Sequence, residues 1–362
     1  MITLTTCRRD SCCPERLARH RAFWSLEPAD RPLLGAFTGG YTYPIIYDVA
    51  GEGDFLTPAH FGRPAAFFDY LERELCDTAR VETDCYVPIS VLYGVPWMEA
   101  CLGLPVQVQA GLFWPHALLA EDEPLERLTL TLRQDWLDAL CGFMAGVVAQ
   151  FGESHPIAPP FLRGPADLLT AVMGTARACL EWHDQPEAML RLAGTCADAW
   201  RSVATAVSRL IPPFCGGYVN NARYLWSPAR CAYTSEDSTT FLSPATFRRC
   251  LLPADLRIAE SFPYGFMHRH SVSQHNIPDL LGLPAGWAIE VTLDPTGPSI
   301  EELLPLFRRL QGARRPLILF GVRDAGELRA LTESLSPSGL CLILQTDTPA
   351  QAEAILREVN RA

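Results

Sequence analysis

The fold is decided by Pro316-Leu317-Ile318-Leu319-Phe320-Gly321-Val322 and by its echo further on, Gly339-Leu340-Cys341-Leu342-Ile343-Leu344-Gln345. Neither run alternates apolar with polar residues. A strand that is apolar on both sides belongs to a parallel sheet covered on both faces. Working outward, Trp287–Leu293 and Tyr264–His270 read as two more strands of this kind, and helical patterns follow over Ile277–Leu281, Ser299–Leu310, Asp324–Ser334 and Thr348–Val359. Such strand–helix repetition predicts an α/β fold, a (β/α)8 TIM barrel. An open doubly wound sheet is the alternative, but no G-x-G-x-x-G turn follows any strand.

Further upstream, Asp184–Pro186 opens a long amphipathic helix reaching about Leu210, and Ser243-Pro244 supplies an N-cap and a first helical proline for a helix running to about Ser261. Gln134–Phe151 is a strongly apolar helix. The amino-terminal third is less regular: helices over Pro14–Leu26 and Pro58–Arg80, with strands at Leu33–Phe37, Tyr86–Ser90 and Val106–Ala110. No Gly/Ser- or Pro-rich linker divides the chain. Residues 1–13 read as a flexible tail and 14–362 as one barrel domain with amino-terminal helical decoration.

With 362 residues and 48% hydrophobic content the chain can bury a large core, and disorder is excluded. The net charge of −11 argues against a nucleic-acid partner. All 30 basic residues are arginine, which removes Schiff-base aldolases, enzymes holding pyridoxal phosphate on a lysine, and P-loop NTPases, because each needs a lysine amine. Met1–Arg9 carries no apolar block of the signal-peptide kind, and the apolar runs are strand-sized, so no membrane span is expected. The scattered, odd set of 13 cysteines suits a reducing cytoplasm; Cys7, Cys12 and Cys13 cluster, but without a second Cys/His knuckle to complete a zinc site. An apolar helical surface permits a homodimer.

In a parallel barrel the chemistry gathers where strands end. His268 and His270 alternate along one strand, so both face one side with Cα atoms roughly 6.5 Å apart, while Arg269 faces the other. Two imidazoles on one face make half of a metal site. Glu290, between apolar residues on the next strand, must be paired, protonated or metal-bound, and is the expected third ligand; an arginine partner is the other reading. Cys341 sits at the wrong end of its strand to join them. Asp237, after Glu236, is a candidate acid–base group. Tyr218, Asn221, Arg223 and Trp226 gather aromatic, amide and guanidinium groups suited to a small anionic or aromatic substrate, and Asp84 is a weaker addition.

Several of these stretches together resemble the uroporphyrinogen decarboxylase-like superfamily. They are Gly164-Pro165 with Met173-Gly174, Asp184-Gln185-Pro186-Glu187, Glu236-Asp237 with Leu242-Ser243-Pro244-Ala245-Thr246-Phe247, Leu252-Pro253, and His268-x-His270 followed by Ile277-Pro278-Asp279-Leu280-Leu281. The similarity spans roughly residues 80–360. It implies a (β/α)8 barrel and one of two activities: cofactor-free decarboxylation of a porphyrinogen, or zinc-dependent methyl transfer involving a methylated corrinoid protein. The decarboxylases' R-Q-A-G-R-type motif is missing between Arg31 and Asp54, and Asp84 matches the family's early acidic position only loosely. The methyltransferases' H-x-C carries His270 in place of cysteine, and their late cysteine position falls near Gln345–Thr346, where no cysteine stands at the right end of the strand. Any metal here would therefore have nitrogen and oxygen ligands.

The leading expectation is a methyltransferase or demethylase in which a divalent metal, zinc or another, sits on His268, His270 and Glu290 and a methyl group moves between a small substrate and a corrinoid protein or other carrier. The alternatives are a metal-free decarboxylase or lyase using His268, Glu290, Asp237 and Arg223 on a small carboxylated substrate, and a non-catalytic small-molecule or corrinoid-binding protein.

Overall fold

The computed structural model describes residues 12–39, 49–91, 94–120 and 122–359. Six strands form one parallel sheet. They are β1 (Leu33–Thr38), β8 (Cys231–Ser235), β9 (Tyr264–His270), β10 (Trp287–Thr292), β11 (Leu317–Val322) and β12 (Leu340–Thr346), in the order β1-β12-β11-β10-β9-β8. The remaining strands pair in twos: β2 (Ile89–Ser90) with β5 (Ile157–Ala158) in parallel, and β3 (Val106–Gln109) with β4 (Leu112–Pro115) and β6 (Tyr218–Val219) with β7 (Trp226–Ser227) antiparallel.

Both faces of the six-stranded sheet are buried, as the unalternating strands require. Phe266, Ala288, Ile318, Phe320 and Ile343 pack together on the concave side, while Met267, Ile289, Leu317, Leu319 and Leu342 join the larger core under the helices. That outer layer includes α4 (Gln134–Phe151), α5 (Pro165–Met173), α7 (Pro186–Leu210), α9 (Leu252–Ala259), α10 (Ile300–Gly312), α11 (Ala325–Ser334) and α12 (Pro349–Val359). Ser299 caps α10 reciprocally with Glu302, and Asp324 caps α11 through the Glu327 amide.

The sheet curls but stays open, which narrows the closed eight-stranded barrel expected from the repeats. The segments that would complete it, β2 and β5, hold two residues each. Proline is the reason: Pro88 precedes β2, and Pro156, Pro159 and Pro160 bracket β5, each removing an N–H from a potential ladder. Single contacts bridge the gap, the Asp84 amide to the Leu34 carbonyl on one side and an Arg163–Ser235 bridge on the other.

Two further expectations are corrected. The helix over Pro58–Arg80 is broken into short 3-10 turns at Pro58–Phe61 and Pro64–Phe67 before α2 (Phe68–Thr78), because Gly62 and Pro64 interrupt it. The cysteines are also not all free: Cys12 is disulfide-bonded to Cys215, which ties the start of the described chain to the loop after α7. Cys7 and most of the expected 1–13 tail lie outside the described residues. Among the described residues no helix is long and apolar enough to cross a membrane.

Candidate metal centre

On the concave face the strands change character toward their carboxyl ends. β9 runs Phe266, His268, His270, and β10 runs Ala288, Glu290, Thr292, with Asp294 just beyond. The parallel register sets His268 beside Glu290 and His270 beside Thr292 on one flank, and Ser235 of β8 beside His268 on the other. Arg269 faces the opposite way, where its guanidinium meets Asp255 of α9 at 2.7 Å with both groups fully buried.

Each histidine is held by its inner nitrogen. His268 Nδ1 bonds the Glu290 carboxylate, and His270 Nδ1 lies 2.5 Å from Asp294 Oδ1. Both outer nitrogens turn toward one carboxylate oxygen, Asp237 Oδ1, at 3.1 Å from His268 Nε2 and 3.6 Å from His270 Nε2. The rings stand 4.8 Å apart, nearly perpendicular. Potential ligand atoms of Asp237, His268 and His270 thus lie within 4.8 Å of one another, and this is the one such group among the described residues. Burial by itself would lower both imidazoles. The neighbouring carboxylates outweigh it, raising His268 through Glu290 and Asp237 and holding His270 up at about 10 through Asp237 and Asp294. The histidines overcome burial to keep Asp237 and Asp294 below the ordinary carboxylate range, and Arg223 together with His268 does so for Glu290.

Glu290 therefore lies behind His268, on its Nδ1, and outside the group of facing ligand atoms, in which the carboxylate is that of Asp237. Arg223 explains why Glu290 remains ionised. It enters the sheet's interior from the segment before β8, lies over the Phe320 ring at 3.9 Å, and reaches Glu290 Oε1 at 3.1 Å, with 2% of its side chain exposed. Arg223, expected among the substrate-binding residues, is thus placed inside the sheet beside Glu290 and Thr292.

The other residues expected to bind substrate lie elsewhere. Trp226 is buried against Leu17, Tyr86 and Val219 with its indole N–H on the Phe214 carbonyl, and Tyr218 packs against the larger core with the Arg230 guanidinium over its ring. The Asn221 side chain is enclosed with no hydrogen-bond partner. Asp84 is buried between Arg31, Arg19 and the Leu34 amide, a structural knot under β1. Cys341 is buried at the start of β12, away from the histidines.

The opening that reaches Asp237 is a cleft of about 620 Å3. Its lip is apolar, with Leu112 and Trp114 of the β3–β4 hairpin half exposed, and Phe161 and Val95 lie deeper. Its polar wall holds Ser238, Asp167, and the Arg163–Glu99 pair at 3.0 Å. Burial and the nearby Asp237 push the Asp167 carboxyl up to about 6. Sequence reasoning missed Asp294, Asp167, Glu99 and Trp114. Only Asp294 left a trace, since it continues the Glu290, Thr292 alternation one step past the strand.

No family model and no curated protein matches the chain. Among solved structures it is similar to a methyltransferase from Methanosarcina mazei, with a TM-score of 0.57 and 13% identity over 96% of this chain and 98% of that one. A likeness at that identity speaks for the fold, which the two chains share over nearly their whole lengths.

Proposed function

We propose that this chain is a metal-assisted enzyme acting on a small molecule, a methyltransferase or demethylase with Asp237, His268 and His270 as ligands. The observation that carries this reading is the orientation of the histidines. Each has its Nδ1 fixed by its own carboxylate, Glu290 or Asp294, so that both Nε2 lone pairs can be directed at the place Asp237 also faces. Two imidazoles and a carboxylate suit a divalent ion with open positions, zinc among them. When bound, such an ion would act as a Lewis acid on an oxygen or nitrogen substituent of the substrate.

This chain's own residues would do the rest. The apolar lip would hold the body of the substrate and exclude water, while Arg163, paired to Glu99 and bridged beside Ser235, would stiffen the polar wall. Methyl transfer is supported by the shared fold with the archaeal methyltransferase and by the sequence resemblance, and the resemblance alone suggests a corrinoid protein as carrier, another methyl carrier being the alternative. The eight-stranded barrel remains part of this proposal, with the β2–β5 pair standing in for two strands.

Metal analysis of purified protein against a His268→Ala/His270→Ala variant tests the reading. About one equivalent in the first and none in the second is expected; equal, negligible metal in both would remove it. A second reading rests on Asp237 lying at hydrogen-bond distance from His268, which without an ion is an Asp–His–Glu proton chain for a lyase. Turnover indifferent to chelators would favour it.

A further inference from the structure

Asp237 is the exposed member of the centre: 54% of its side chain is open, against 7% for His268, and it sits on a turn after β8 instead of within a strand. A ligand on a turn needs something to fix it, and the backbone around it is fixed in an unusual way. Glu236 turns inward, is fully buried, and its Oε2 accepts the Ala166 N–H in the first turn of α5 at 2.8 Å. Asp167, the next residue of α5, turns the other way. Its two oxygens accept the backbone N–H groups of Asp237 at 3.2 Å and Ser238 at 2.8 Å. The Gly164 amide adds a third tie, donating to the Ser235 carbonyl at 2.8 Å.

The fit leaves no slack. A Cβ on Gly164 would come within 2.0 Å of Glu236 Oε1 and 2.5 Å of Thr234 Oγ1, so only glycine lets the buried carboxylate close on the helix. Glu236 also packs in the fully buried group with Asp255 and Arg269, a costly place for a carboxylate whose Oε1 finds no hydrogen-bond partner. A helix start needing only a cap could take one from an exposed serine or aspartate. Glu236 and Asp167 instead exchange caps between two segments, and the segment so gripped carries Asp237.

We infer that Gly164, Asp167 and Glu236 are positioning residues that clamp the Asp237 backbone and thereby set the affinity of the centre for its metal. The inference deepens the proposed function and rests on Asp237 being a ligand. Groups that orient metal ligands commonly change affinity ten- to a hundredfold when removed.

The test uses Co2+ as probe on the full-length protein, with affinity read by competition against a chromophoric chelator. Asp167→Ala and Gly164→Ala should each weaken Co2+ binding at least tenfold; the glycine variant matters because it leaves every charge in place. Glu236→Gln, whose amide oxygen can still accept the Ala166 N–H, should bind within about threefold of the parent. Wild-type affinity in both Asp167→Ala and Gly164→Ala would overturn the clamp. If the parent itself takes no Co2+, the metal reading fails, and amide hydrogen exchange judges the clamp alone. Asp167→Ala should then speed exchange at Ala166, an amide Asp167 does not touch but Glu236 does; unchanged protection there would overturn it.

Discussion

Glu290 and Asp237 both touch His268, yet removing them should do opposite things. Glu290 and Arg223 are buried to 0% and 2% exposure, so Glu290→Gln leaves a guanidinium without its counter-charge inside the sheet. Breaking a buried pair from one side costs about 3–5 kcal/mol, and the lower end applies because the new amide oxygen can still accept from Arg223 or Thr292. A chain of 362 residues has an unfolding entropy near 0.76 kcal/mol per kelvin at the usual per-residue value, so about 3 kcal/mol lowers the midpoint by about 4 °C. Asp237→Asn removes an exposed carboxylate whose loss should cost about 1 kcal/mol or less without metal. Metal affinity should fall most, on the order of a hundredfold, in the Asp237 variant, and about tenfold where His268 merely loses its orienting partner. Differential scanning calorimetry of metal-free protein and chelator competition supply both axes. Stable protein with abolished binding in Glu290→Gln, together with near-normal binding in Asp237→Asn, would show that the ligand and its support have been exchanged in this account.

Other outcomes follow from the same geometry. With His270 at about 10 against an ordinary 6.5, its proton stabilises the metal-free fold in full below pH 6.5, and that contribution is lost as pH climbs toward 10; the metal-free midpoint should drift downward over that window. A metal must displace that proton, so calorimetric titration near pH 7 in buffers of different ionisation enthalpy should show at least one proton released, and affinity should rise about tenfold per pH unit for each proton displaced. Trp114→Ala, at the half-exposed lip of the cleft, should raise KM about tenfold with kcat little changed if, as proposed, that apolar lip holds the substrate's body. In the denatured, unreduced protein Cys12 and Cys215 should resist thiol labelling, read by peptide mass mapping, and Cys215→Ser should free Cys12.

The four strands from Tyr264 onward were legible because burial on both faces writes itself into consecutive residues: Leu317 to Phe320 have no polar member to misplace. The period-two rule likewise put His268 and His270 on one face and sent Arg269 outward, as the rings and the Asp255 pair show. What lay beyond that rule was everything that depends on separate segments meeting. Arg223 reaches Glu290 across 67 positions, and Asp167 grips the turn at Asp237 across 70, distances over which spacing carries no information. A carboxylate on a buried strand could be paired or metal-bound, and both readings of Glu290 were consistent with its neighbours until Arg223 was placed beside it. The open side of the sheet was hidden for the opposite reason. Its signal was local, the prolines around Ile89 and Ile157, but a proline says only that a ladder ends there, not that a neighbouring strand was to have begun. In the proposed centre, strand periodicity places the two imidazoles and tertiary capping places the carboxylate. Mutations far along the chain at Gly164 or Asp167 should consequently reach the metal more strongly than conservative changes on the face of β9 that carries Arg269.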